Sequence, residues 1–210
     1  MSDRKEHWEN VYQKKSPLEV SWHQKEPTLS LQLIRGTQLA LDAPIIDVGG
    51  GASMLVDKLC HEGYSNVSVL DVSENALVHA KDRLADQAAM VEWFEEDVTR
   101  FNPPHRFALW HDRAVFHFLT ARADRERYIN VLKQALEPGG HLIMMTFAID
   151  GPAKCSGLDI VQYDANKLMA ELGPGFKLEE TGFELHITPA GGQQKFAYFC
   201  LSATSGLSEK

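Results

Sequence analysis

The 210-residue chain carries 29 acidic against 21 basic side chains, a formal charge of −8, with 44% hydrophobic and 24% charged residues. That length suffices for one well-buried core, and the composition is that of a globular enzyme rather than a disordered or fibrous chain. The acidic balance without a long Lys/Arg run speaks against a nucleic-acid partner, and the sequence has neither a membrane span nor an apolar signal core, so a cytoplasmic protein is expected.

In chain order, Asp3 and Glu6 read as a capping box opening a short helix whose Trp8, Val11 and Tyr12 share one face. A turn-rich stretch from Pro17 to Pro27 carries Trp22, and Thr28 is expected to cap a second helix with Leu29, Leu33 and Ile34 inward. From Pro44, short β-rich runs alternate with helical ones, among them the faces Ala76, Leu77, Ala80, Leu84 and Tyr128, Val131, Leu132, Ala135. Such alternation predicts a parallel sheet covered on both sides. A polar loop leads to Tyr163, a helix follows over Asp164 to Leu172, and two long runs, Phe176 to Thr188 and Gln193 to Ser202, flank Pro189-Ala190-Gly191-Gly192 as a hairpin. Residues 203–210 read as a flexible tail. Cys60, Cys155 and Cys200 suggest reduced thiols, and the scattered histidines form no metal-ligand pattern, so no metal is expected.

The densest signal is Asp47-Val48-Gly49-Gly50-Gly51, with Asp71 twenty residues beyond Gly51 at the end of the run Val67 to Leu70. Glycines let the backbone approach a ligand, the next helix points amide N–H groups at it, and a carboxylate accepts from ribose hydroxyls. The dinucleotide fingerprint wants a further glycine where Met54 stands. An acid two residues before the first glycine suits a ligand bearing an ammonium group better than a diphosphate.

This pattern resembles the first motif of class I S-adenosylmethionine-dependent methyltransferases, and three further segments strengthen the resemblance: Glu95-Glu96-Asp97-Val98, Phe107 to Ala114, and Leu136 to Met144 through Pro138-Gly139-Gly140. The resemblance implies a Rossmann-like α/β three-layer sandwich, with a mostly parallel seven-stranded sheet and a C-terminal antiparallel hairpin. One domain would span 1–202: lid and helices over 1–43, cofactor-binding core over 44–147, acceptor side over 148–202. It implies S-adenosyl-L-methionine as cofactor, with Gly49, Gly50 and Gly51 beside Asp47 cradling the methionine part, Asp71 with Val72 at the ribose, and Asp97 with Val98 at adenine. The alternative is that Asp71 and Asp97 each cap the next helix or turn.

Trp110-His111-Asp112-Arg113-Ala114-Val115 resembles a Trp-Asp-Arg-Gly-Ala-Leu segment of thiopurine S-methyltransferase-like enzymes, with His111 as an extra residue. His111, Asp112 and Arg113 are therefore the catalytic candidates, expected just past the fourth strand, with His111 also near the cofactor. The bland reading of Asp112 and Arg113 is a local ion pair. Trp8 to Tyr12 and Trp22 resemble aromatic lid segments of small and protein-lysine methyltransferases. Tyr12 and Trp22 are the cofactor-facing candidates, while Trp8 reads first as core. Tyr163 is a candidate for the acceptor pocket, and His117 and His186 read as structural.

The expected function is in-line methyl transfer to a small molecule. The alternatives are a protein-lysine N-methyltransferase and a non-catalytic nucleoside- or partner-binding module of the same fold.

Overall fold

The computed structural model describes residues 3–204, with the Asp3 side chain outside what is described. Helix α1 covers Asp3–Lys14 and α2 Thr28–Gly36. The capping residue of α2 is Pro27, one position before Thr28, and it makes no side-chain bond. The capping role of Asp3 lies outside the described side chains. Strands and helices then alternate: β1 (Ile45–Val48), α3 (Leu55–His61), β2 (Val67–Asp71), α4 (Glu74–Leu84), β3 (Val91–Glu95), β4 (Phe107–Arg113), α5 (Arg122–Ala135) and β5 (Leu136–Phe147). After β5 the polar segment contains a two-stranded ribbon, β6 (Lys154–Cys155) and β7 (Leu158–Asp159), which sequence polarity concealed. Helix α6 (Ala165–Leu172) follows, opened by Asp164, whose carboxylate accepts from the Lys167 amide at 2.8 Å. The hairpin β8 (Phe176–Ile187) and β9 (Gln193–Ala203) ends the fold. Strand β9 thus reaches one residue into the expected tail, and residues 205–210 lie outside the described ones.

The sheet order is β3-β2-β1-β4-β5-β9-β8, parallel except where β9 runs against β5 and β8. Alternation along the strands divides the core in two. Ile46, Trp110 and Leu142 pack with Tyr128, Leu132, Leu168 and Leu172 of α5 and α6. Their neighbours Ile45, Leu109 and Ile143 pack on Ile34, Leu55, Leu59 and Leu77 of α2, α3 and α4. This is the three-layer α/β arrangement, with the central parallel strands β1, β2 and β4 burying both faces. The strand order reverses between β1 and β4. In open α/β sheets that switch point leaves a crevice outside the carboxyl ends of the strands, and ligands bind there.

Candidate functional site

The crevice is lined as its topology requires. A cleft of about 750 Å³ lies over β1, β2 and β3, with Gly49, Asp71, Val72, Asp97 and Val98 on its floor. A second, of about 540 Å³, lies over β1 and β4 with Asp47, Gly49, Gly50 and His111, and Tyr12, Trp22, Gly49 and Arg113 border both. Glycine is demanded where the chain turns out of β1. Gly49 has φ +69°, and a Cβ there would strike Val115; one at Gly50 would strike Asp47, and one at Gly51 would strike Asp71. Both carboxylates are thereby left facing ligand space. Oδ2 of Asp47 is buried without a partner. Asp71 accepts from the Ser73 amide at 2.9 Å, and burial pushes its carboxyl up to about 7.

Asp97 is already engaged. Arg4 of α1 donates to both its oxygens, at 2.9 and 2.7 Å, and Thr99 donates from its amide and hydroxyl. Helix α1 is further tied by Arg4 to Asp124, by Lys5 to Glu95, and by Glu9 to the start of α4. Glu9 accepts from the Ser73 hydroxyl, the Glu74 and Asn75 amides and the Asn75 side chain. Burial works to raise the Glu9 pKa, but these donors prevail and hold it low. The helix therefore roofs the cleft, and Trp8, first read as core, is part of the lining, edge-on to Trp22 and Phe118 at 5.5 and 5.0 Å. Tyr12 and Trp22 meet through an N–H···O bond of 3.3 Å.

His111, Asp112 and Arg113 are the last residues of β4 rather than a loop beyond it. Period-two alternation sends them to opposite sides. His111 and Arg113 lie on the same side of β4 as Leu109 and border the smaller cleft, whereas Asp112 follows Trp110 into the other core layer. Asp112 is fully buried, accepts from the Tyr128 hydroxyl at 2.5 Å and holds the Val115 and Phe116 amides at 2.9 and 3.1 Å. The expected catalytic place for Asp112 is corrected on this ground: it pins the turn after β4, where Ala114 takes φ +71°. Nor do Asp112 and Arg113 form the local pair considered above. Arg113 donates to the Trp22 carbonyl at 3.1 Å, lies 3.6 Å from Glu184 and sits over the Phe196 ring at 4.6 Å.

Tyr163 is a second correction. It is fully buried against Phe116 in the α5–α6 core and lines neither cleft. His117 accepts from the Phe147 amide, and burial drives its pKa down to about 3. His186 meets the Ser21 carbonyl at 2.7 Å. Cys155 borders the larger cleft, where burial pushes its thiol up to about 11, the wrong direction for a nucleophile. Among the described residues no three His, Cys, Asp or Glu side chains gather as a metal site, and no helix is long and apolar enough to cross a membrane. Arg4, Glu9 and Ser30 were missed from sequence, because each acts through a partner distant in the chain.

An open sheet of this order, with glycines at its switch point and a carboxylate at each of three successive strand ends, defines a nucleoside-cofactor-binding protein of the Rossmann-like class. A family described as a methyltransferase domain matches residues 45–140. The chain is 29% identical over 104 residues, 49% of its length, to malonyl-[acyl-carrier protein] O-methyltransferase 1 of Ilyobacter polytropus, and spans 37% of that relative. It is 21% identical over 194 residues to EEF1A lysine methyltransferase 2 of Homo sapiens, covering 84% of this chain and 75% of that protein. Its fold superposes on an S-adenosylmethionine-dependent methyltransferase from Anabaena variabilis with a TM-score of 0.74 at 16% identity, covering 97% of this chain and 96% of the other. The methyltransferase-domain match and the shared fold make the chain similar to class I S-adenosylmethionine-dependent methyltransferases.

Proposed function

We propose that the protein transfers a methyl group from S-adenosylmethionine, in line, to a small-molecule acceptor. The observation that carries this reading is the row of carboxylates along the sheet edge: Asp97 after β3, Asp71 ending β2 and Asp47 in β1. Strands spaced about 4.8 Å apart set out this row in the order adenine, ribose and amino-acid end. The residues fit the cofactor: Asp71 and Val72 take the ribose, Asp97 and Val98 the adenine, and the unpartnered Asp47 Oδ2 the ammonium. The bound cofactor supplies a methyl on a sulfonium, an electrophile whose leaving group needs no acid. What the chain adds is position and dryness, an effect worth roughly 7–11 kcal/mol where reactants are well oriented. Trp8, Tyr12 and Trp22 close over the cleft and turn aromatic surface toward the cationic centre.

Arg113 borders both clefts with two guanidinium nitrogens lacking hydrogen bonds, which favours an acceptor with an anionic or carbonyl group over one bearing an ammonium. The aromatic wall of Trp8, Tyr12, Trp22 and Phe118 favours the second reading, a protein lysine, and a lysine methyltransferase is among the relatives. The remaining alternative, a binding module without turnover, predicts cofactor affinity and no product. We place the protein in the cytoplasm, where its three unpaired cysteines would stay reduced, and take 1–202 as one domain. Calorimetry with S-adenosylmethionine on the wild type and Asp71→Ala tests the cofactor: tight binding lost in the variant supports it, and no wild-type binding rejects it. Labelled-methyl transfer into metabolite and protein extracts then decides between the acceptors.

A further inference from the structure

Asp47 does not stand alone in the smaller cleft. The parallel register of β1 and β4 sets it beside His111, whose Nδ1 lies 2.7 Å from Asp47 Oδ1. His111 Nε2 lies 3.0 Å from the hydroxyl of Ser30, on α2, and that hydroxyl lies 3.6 Å from the Met145 sulfur. All three side chains border the same cleft and each is only 2% exposed. An ionised carboxylate only accepts, so Oδ1 calls the imidazole proton onto Nδ1 and leaves Nε2 to accept from the Ser30 hydroxyl. The second oxygen, Oδ2, is buried and unpartnered. A carboxylate held by one oxygen and bare at the other is fixed in rotation, with its free lone pairs aimed in one direction.

We infer that Ser30 and His111 are positioning residues that hold the Asp47 carboxylate toward the ammonium at the amino-acid end of the bound cofactor. The inference rests on the cofactor reading above. It gives His111 a part in binding, where the sequence also suggested one in catalysis. The chain Ser30–His111–Asp47 joins α2, β4 and β1, so the aim of the carboxylate depends on the whole switch point rather than on the glycine turn alone.

The test compares two nucleosides by calorimetry: S-adenosylhomocysteine, which carries the ammonium, and 5′-methylthioadenosine, which lacks the amino-acid end. Ser30→Ala and His111→Phe should weaken S-adenosylhomocysteine about tenfold, as for loss of a charge-assisted contact, and leave methylthioadenosine within about twofold. His111→Asn, whose amide can still donate to Asp47, should recover much of the loss. Equal losses for both nucleosides in folded variants would overturn the inference. So would unchanged S-adenosylhomocysteine binding with turnover lost and the acidic limb of its pH profile altered, which would make His111 the acceptor's base. Wild-type protein that binds neither nucleoside would reject the cofactor reading itself.

Discussion

Burial raises the Asp71 carboxyl to about 7, the Ser73 amide pulls it down, and Asp47 adds to the rise. In the ribose role proposed for Asp71, a ribose hydroxyl would donate to the ionised form, so binding would expel a proton. Affinity for S-adenosylhomocysteine should therefore climb about tenfold between roughly pH 6 and pH 8, and Asp71→Asn should bind weakly with a flat profile over that window. For stability the sign is opposite. The folded state holds this proton above the unfolded pKa of about 3.9, so the ligand-free protein should lose stability as pH rises from about 4 to about 7. Thermal melts across that range, with wild type beside Asp71→Asn, separate this group from the others. Gly49 supplies a second prediction at this scale. With φ +69° and Val115 in the path of any Cβ, Gly49→Ala should cost about 2–4 kcal/mol by denaturant titration. Adding Val115→Ala should return the steric part and leave the backbone strain.

Among the elements, the turn after β4 and the roof helix α1 depend on different forces. Asp112 satisfies two amides and a tyrosine in a dry core, so Asp112→Ala should cost about 3–5 kcal/mol and reduce turnover only through folding. Retained turnover per folded molecule would confirm it as a structural group. Glu9 binds the first turn of α4, and Glu9→Ala should cost about 1 kcal/mol while freeing α1, read as faster amide exchange across residues 4–14. The sequence was informative here to unequal degrees. The placing of Asp47, Asp71 and Asp97 at or near the ends of neighbouring strands was legible because strand, turn and acid recur at fixed spacing. The opposite facing of His111 and Asp112 was legible in principle from strand alternation, once β4 is known to run to Arg113. The grip of Glu9 on α4 and of Arg4 on Asp97 was not, since neither residue has a local pattern and each meets its partner more than sixty positions away.

For the whole molecule, the parallel direction of the first five strands followed from alternating β and α runs, and the hairpin from two long runs around a Pro-Gly turn. The ribbon β6–β7 and the inward burial of Tyr163 escaped because a polar segment gives no period to read. Since the switch-point clefts draw on β1 to β4, α1 and the Trp22 segment together, a ligand seated there binds only the folded state. S-adenosylhomocysteine at one hundred times its Kd should add about 2.7 kcal/mol, raising the melting midpoint by roughly 5–10 °C for a chain of this size. A smaller shift in Asp71→Ala at the same concentration checks that the gain comes from the cleft.

The ionic ties of α1, Arg4 to Asp97 and Asp124, Lys5 to Glu95, and Glu9 to the head of α4, bear on timing as well as shape. In the proposed reaction each cycle would admit one nucleoside and discharge another beneath a strap fastened by charge, and salt loosens such fastenings. Product residence time should therefore shorten as ionic strength rises, so turnover at saturating substrate would increase with salt even as affinity falls.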